Sequence, residues 1–96
     1  MIYIDGVRYN TSASTGHRYI TEVRYSYILN SIGVYTYSRA SMVNYIKNHP
    51  NCVKTKYLGH TGYWLEGEDV RVVDNYYLRT DANNIKADNL GDLPEY

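Results

Sequence analysis

Ninety-six residues, 44% of them hydrophobic, make one domain with room for a single core and little surplus stability. Ten basic and ten acidic side chains cancel, which argues against a general duplex-binding protein, since that class carries a basic excess. A single cysteine, Cys52, excludes an intrachain disulfide; with no run near the roughly 18 apolar residues of a membrane span and no basic-then-apolar leader, a cytosolic protein with no membrane partner is expected.

Met1-Ile2-Tyr3-Ile4 and Val7-Arg8-Tyr9-Asn10 flank Asp5-Gly6, and Asp-Gly between β-prone runs predicts a two-residue hairpin. Residues 11–17 are small and polar and read as a loop. Arg18 to Ile28 predicts the first long strand. Strict alternation puts Tyr19, Thr21, Val23, Tyr25 and Tyr27 on the face toward the helix, and Ile20, Glu22, Arg24, Ser26 and Ile28 on the other. Asn30-Ser31-Ile32-Gly33 is a turn, and Val34 to Tyr37 returns as a strand.

Ser38 is placed to cap a helix from about Arg39 to Asn48, its hydroxyl accepting a free backbone N–H of the first turn. Met42, Val43 and Ile46 form the apolar stripe, extended by Ala40 or Tyr45. His49-Pro50 ends the helix, because the residue before proline resists helical geometry. Val53 to Leu58 is a strand. Gly59 to Gly62 punctuates the chain, and Tyr63 to Val73 predicts a second hairpin turning at Gly67-Glu68. Tyr76 to Thr80 extends the final strand into a turn and an ordered tail pinned by Ile85, Leu90 and Leu93. The sum is an α+β domain: a mainly antiparallel sheet, one helix packed across it, and an N-terminal hairpin addition.

The last third carries a pattern. A Val-rich strand runs into Tyr77-Leu78-Arg79-Thr80, followed by Asp88-Asn89-Leu90 and Leu93-Pro94. This resembles the C-terminal signature of a family of small uncharacterised bacterial and phage proteins. The resemblance covers residues 19–95 and leaves residues 1–18 as an addition. It implies a strand-strand-helix-strand-strand core and no particular activity.

Charge and aromatic residues supply the functional expectations. Residues 1–56 hold seven basic groups against two acidic ones, and residues 57–96 hold three against eight. The halves either attract each other, within the fold or across a homo-oligomer, or present a basic face to an anionic ligand. Thirteen tyrosines and no phenylalanine favour surfaces where one end of the ring is buried and the other meets water or a ligand. Tyr25, Tyr27, Tyr35, Tyr37, Tyr63 and Trp64 beside Arg18, Arg24 and Arg39 are the candidate binding surface. Such a set can stack a base and hold its phosphate, or anchor a protein interface. Arg79 joins it as a candidate phosphate or carboxylate ligand, the alternative being that Arg79-Thr80 locks the tail through Asp88-Asn89.

Catalytic and metal motifs are thin. His49 and Cys52 lie three apart, but spacing alone does not make a nucleophile pair, and a structural cysteine is the favoured reading. His17, His49 and His60 all fall in predicted loops, without zinc-ligand spacing. Asp81, Asn83 and Asp88 resemble a calcium loop weakly, since Lys86 and Asp92 stand where glycine and glutamate belong. The sequence therefore points to a non-enzymatic binding protein without cofactor or metal, and the resemblance implies that it is of phage or prophage type. Its expected partner is a nucleotide-like small molecule or a host defence protein, as in counter-defence. A single-stranded nucleic-acid module is the alternative.

Overall fold

Ile2, Ile4 and Val7 place the N-terminal segment at the centre of the molecule, because all three are excluded from solvent. The computed structural model describes residues 1–80 and 90–96. Strand β1 (Ile2–Thr11) is the middle of a five-stranded sheet with β2 (Arg18–Ser26), β3 (Tyr35–Ser38), β4 (Val53–Leu58) and β5 (Trp64–Asp69), in the order β3-β2-β1-β4-β5. Only β1 and β4 run parallel, Ile2 standing opposite Val53; the other pairs are antiparallel. Helix α1 (Arg39–Asn48) lies on one face, and β6 (Arg71–Val73) pairs with β7 (Tyr77–Arg79) as a separate hairpin against it. The α+β class and the mainly antiparallel sheet with one helix are as expected.

Neither predicted glycine turn is a turn. Asp5-Gly6 lies inside β1, where the register with β2 slips between Ile4 and Gly6. The extra residue of this bulge is Asp5, and it keeps Ile4 and Val7 both facing the core. The N-terminal hairpin turns instead at residues 12–17, between β1 and β2. Gly67 likewise sits within β5, in a register shift opposite Thr55, whose hydroxyl accepts from the Glu68 N–H at 3.0 Å. A Cβ on Gly67 would overlap that hydroxyl. In both places an acid-glycine pair marks a bulge, where close backbone approach rather than chain reversal requires glycine.

A further register shift, between Arg8 and Tyr9 of β1, places Thr21 as the extra residue on β2 and corrects the strict alternation. Beyond it Ile20 joins Val23 and Tyr25 in the core, whereas phase alone had assigned Ile20 to the opposite face. The uninterrupted strand expected from Val70 to Thr80 is also two strands. Asp74 and Asn75 both have positive φ, 55° and 56°, and the Tyr76 N–H returns to the Val73 carbonyl. Asp and Asn tolerate this left-handed backbone and make the tight hairpin turn.

The helix is as predicted. The Ser41 N–H donates to Ser38 Oγ at 3.1 Å, His49 is the C-cap, and Met42, Val43 and Ile46 are buried, with Tyr45 packed alongside and Ala40 exposed. The core joins Ile2, Ile4, Val7, Ile20, Val23, Tyr25 and Val53 of the sheet to Val70 and Leu78 around the hairpin and to Leu90 of the tail. Leu93 packs against it. Pro94 and Tyr96 hydrogen-bond with both backbone groups of Val7, covering β1 beyond the point where β4 leaves it. Ile85, Lys86, Asp88 and Asn89, with the calcium-loop reading and the Arg79–Asp88 constellation, lie outside the described residues.

The unequal halves meet within the fold. Arg18 pairs with Glu95, and Lys54 approaches Glu66 and Asp69 at 3.9 and 3.8 Å. All are solvent-facing and contribute under ~1 kcal/mol each.

Candidate functional site

The ten residues expected to form one surface occupy five places. Tyr25, Tyr27, Tyr35 and Tyr37 do come together across β2 and β3, with ring centroids 4.7–5.7 Å apart in tilted and edge-on contacts. Tyr25 is buried at the centre of this cluster and Tyr27 and Tyr35 are exposed. Tyr63 projects into solvent at the far side of the sheet, before the opposite edge strand β5, next to Trp64. Arg79 is buried at the end of β7. Arg18 and Arg39 line a groove of their own.

Arg24 belongs to a structural frame that the sequence did not reveal. Asp5 is 1% exposed; it accepts from Arg24 Nε at 2.9 Å and from the Gly33 N–H at 2.6 Å. The two glycines make this possible, since a Cβ at Gly33 would strike Asp5 Oδ1 and one at Gly6 would press on the Arg24 guanidinium. Beside it Lys56 is 0% exposed. Its ammonium donates to Ser26 Oγ at 2.6 Å, to the Ile28 carbonyl at 2.9 Å and to the Ser31 carbonyl, and lies 4.8 Å from the Trp64 ring centre. Burial lowers the Lys56 pKa; the Asp5 carboxylate opposes that shift, and the Arg24 charge adds to it. The loop 27–34 is thus held from beneath by two buried charges. Strand alternation placed Arg24 opposite the helix, and its partner is Asp5, an acid on the neighbouring strand β1.

The groove runs between the start of β2, helix α1 and the tip of the β6–β7 hairpin. One part, about 430 Å³, is lined by Tyr19, Thr21, Ser38, Arg39, Asn44, Lys47 and Tyr76, among others. A second part, about 660 Å³, shares Tyr19, Arg39 and Tyr76 and extends past Arg18, His17 and the hydroxyls of Thr11, Ser12 and Thr15. The Arg39 guanidinium lies 3.8 Å from the Tyr76 ring centre and 5.8 Å from that of Tyr19, so the two rings flank it. Among the described lining residues there is no carboxylate. Arg39 stands at the first position of a helix with no acid in its first turn. A cation there opposes the helix macrodipole by about 0.3–1 kcal/mol. Tyr19, Tyr76 and Lys47 escaped the sequence reading because Tyr76 reaches Arg39 only through the Asp74-Asn75 turn.

A family model described as a protein of unknown function, DUF3892, matches residues 4–94. The chain belongs to the DUF3892 family. No curated protein and no solved structure matches it. The match takes in β1, which the sequence reading had set apart as an addition; in this DUF3892 domain β1 is the central strand. Nothing in the described part of the domain assembles a catalytic pair from His49 and Cys52. The His49 ring stacks on Tyr45 at 4.3 Å and its Nδ1 lies 3.1 Å from the Tyr45 carbonyl oxygen. No group of three metal-binding side chains occurs among the described residues, and no helix there is long and apolar enough to cross a membrane.

Two phenols, buried Tyr25 and half-buried Tyr96, set the alkaline behaviour. Burial raises the Tyr25 pKa, helped by the Tyr37 and Tyr27 hydroxyls, and burial with the Glu22 hydrogen bond raises that of Tyr96. Above the ordinary tyrosine value of 10.0 the unfolded chain releases these protons while the folded chain keeps them. The folded state then binds more protons than the unfolded one, so stability falls as pH rises. Lys56, whose pKa burial lowers, acts in the opposite sense only up to its ordinary value of 10.5. Stability should therefore decline from about pH 10 upward. Absorbance at 295 nm should show a class of tyrosines ionising only together with unfolding; independent titration of every tyrosine would refute this.

Proposed function

We propose that this domain is a non-enzymatic binding protein that takes a nucleotide-like anion in the Arg39 groove. The observation that carries the reading is Arg39 flanked by Tyr19 and Tyr76 in a groove whose described lining also holds Lys47 and His17, with Arg18 paired to Glu95 at its margin. A guanidinium grips phosphate through paired donors, and tyrosine rings give a planar base a stacking surface. The groove volume suits a small molecule rather than a duplex. In a protein of phage or prophage type, as the signature of the last third suggests, such a groove would hold a nucleotide signal away from its host receptor. This is counter-defence by sequestration, in the cytoplasm of the infected cell.

The test is titration calorimetry of the purified protein with inorganic phosphate, mononucleotides and cyclic dinucleotides. One nucleotide class should bind, and Arg39→Ala should weaken it at least tenfold, about 1.4 kcal/mol, without loss of fold. No binding by any nucleotide, or equal binding by the variant, would reject the proposal. A short single-stranded oligonucleotide bound in preference to mononucleotides, with a steep salt dependence, would replace it with the nucleic-acid alternative.

A further inference from the structure

The loop 27–34 combines two features that rarely coincide. Its backbone is fixed from below, and its apolar side chains point away from the core. Tyr27, Ile28, Ile32 and Val34 are 52%, 60%, 55% and 71% exposed, and Tyr35 on the adjoining strand is 49% exposed. Underneath, Lys56 and Asp5 occupy the loop's carbonyls and the Gly33 N–H. Burying a lysine is costly, and hydrophobic burial gives no return here because these side chains remain in water. Several apolar side chains on one tethered loop, all held in solvent, are the arrangement of a docking surface whose ordering entropy is already spent.

Charge selects the occupant. Residues 25–38 contain no charged side chain, although the chain carries ten basic and ten acidic groups elsewhere. Such a surface meets its own copy without like-charge repulsion. The two sheet edges differ in the same sense. β5 presents Glu66, Glu68 and Asp69 and a Gly67 bulge, which are devices that keep an edge from pairing. β3, Tyr35-Thr36-Tyr37-Ser38, has neither charge nor proline nor bulge, and among the described residues no further strand pairs with it. Antiparallel pairing of β3 with the β3 of a second copy is self-complementary and closed, whereas β3 on β5 would propagate without limit.

We propose that β3 and the loop 27–34 form the contact of a two-fold homodimer, with Lys56 as the buried post that holds the loop in its docking shape. The surface meets the Arg39 groove only at Ser38, and this inference does not depend on the groove having a ligand.

Light scattering on a size-exclusion column and sedimentation velocity, over a micromolar concentration series, test it. The wild-type chain should run at twice its 11.2 kDa mass. Val34→Asp, at a position 71% exposed, should give a folded monomer. Lys56→Met should raise the dimer dissociation constant at least tenfold while far-UV circular dichroism is unchanged; should that variant fail to fold, Ile32→Asp serves in its place. A wild-type chain that stays monomeric throughout the series overturns the proposal, including one that captures another protein through this loop. A dimer whose dissociation constant is unaffected by Val34→Asp overturns it equally, by placing the contact on another face.

Discussion

Ending the chain after Thr80 should unfold the domain or lower its Tm by on the order of 20 °C or more. The removed segment carries Leu90, 3% exposed in the core, and Leu93 packed beside it. Full burial of a leucine stabilises by about 1.5–3 kcal/mol. The segment also supplies the Pro94 carbonyl to the Val7 N–H at 2.9 Å and the Tyr96 N–H to the Val7 carbonyl at 3.1 Å. Without them the central strand loses its second neighbour beyond Ile4, and a buried backbone pair is left to find water, at about 1–3 kcal/mol for each group. The Tyr96 hydroxyl bond to Glu22 at 2.7 Å is lost as well. Together these approach the whole stability of a small domain, about 5–15 kcal/mol. Thermal unfolding followed by circular dichroism decides the matter, and a truncated chain with an unchanged Tm would show that the tail is not part of the core.

Asp5→Ala should be the most damaging single substitution, costing about 3 kcal/mol or more. The carboxylate is buried, it is the only counter-charge within hydrogen-bonding distance of Arg24 among the described residues, and it fixes Gly33. Its loss leaves Arg24 and Lys56 close together without compensation. The expected fall in Tm is roughly 12–24 °C. Asp5→Asn, which keeps an acceptor for the Gly33 N–H, should fall between the variant and the wild type. Arg24→Ala leaves the carboxylate buried and unpaired, so it also destabilises and is a poor probe of ligand binding. The double variant Asp5→Ala/Arg24→Ala should cost less than the two single changes added together. Strict additivity would mean that the ion pair contributes nothing.

The chain by itself determined the elements whose signals are local. Ser38, the Met42-Val43-Ile46 stripe and His49-Pro50 specify the helix through capping, periodicity and the restriction before proline, and these act within a few residues. The β-prone run from Val53 to Leu58 is legible in the same way. Of the aromatic set named from the sequence, Tyr25, Tyr27, Tyr35 and Tyr37 come together, and Tyr63 and Trp64 lie elsewhere.

Tertiary structure decided what Asp5-Gly6 and Glu66-Gly67 mean. An acid followed by glycine suits a tight turn and a bulge equally, because both need a residue without a side chain at a close approach. The choice rests on a partner strand far along the chain, β2 for Gly6 and Thr55 of β4 for Gly67. The Asp5 bulge and the shift at Thr21 changed the phase of alternation, so burial of Val7 and Ile20 could not be read from period two. Lys56 and Asp5 were invisible for a related reason. An isolated lysine or aspartate predicts exposure, and only the loop that folds over them supplies the carbonyls and the N–H that make burial tolerable. The Arg39 groove has the same origin, since Tyr19, Arg39 and Tyr76 belong to three elements that no spacing connects.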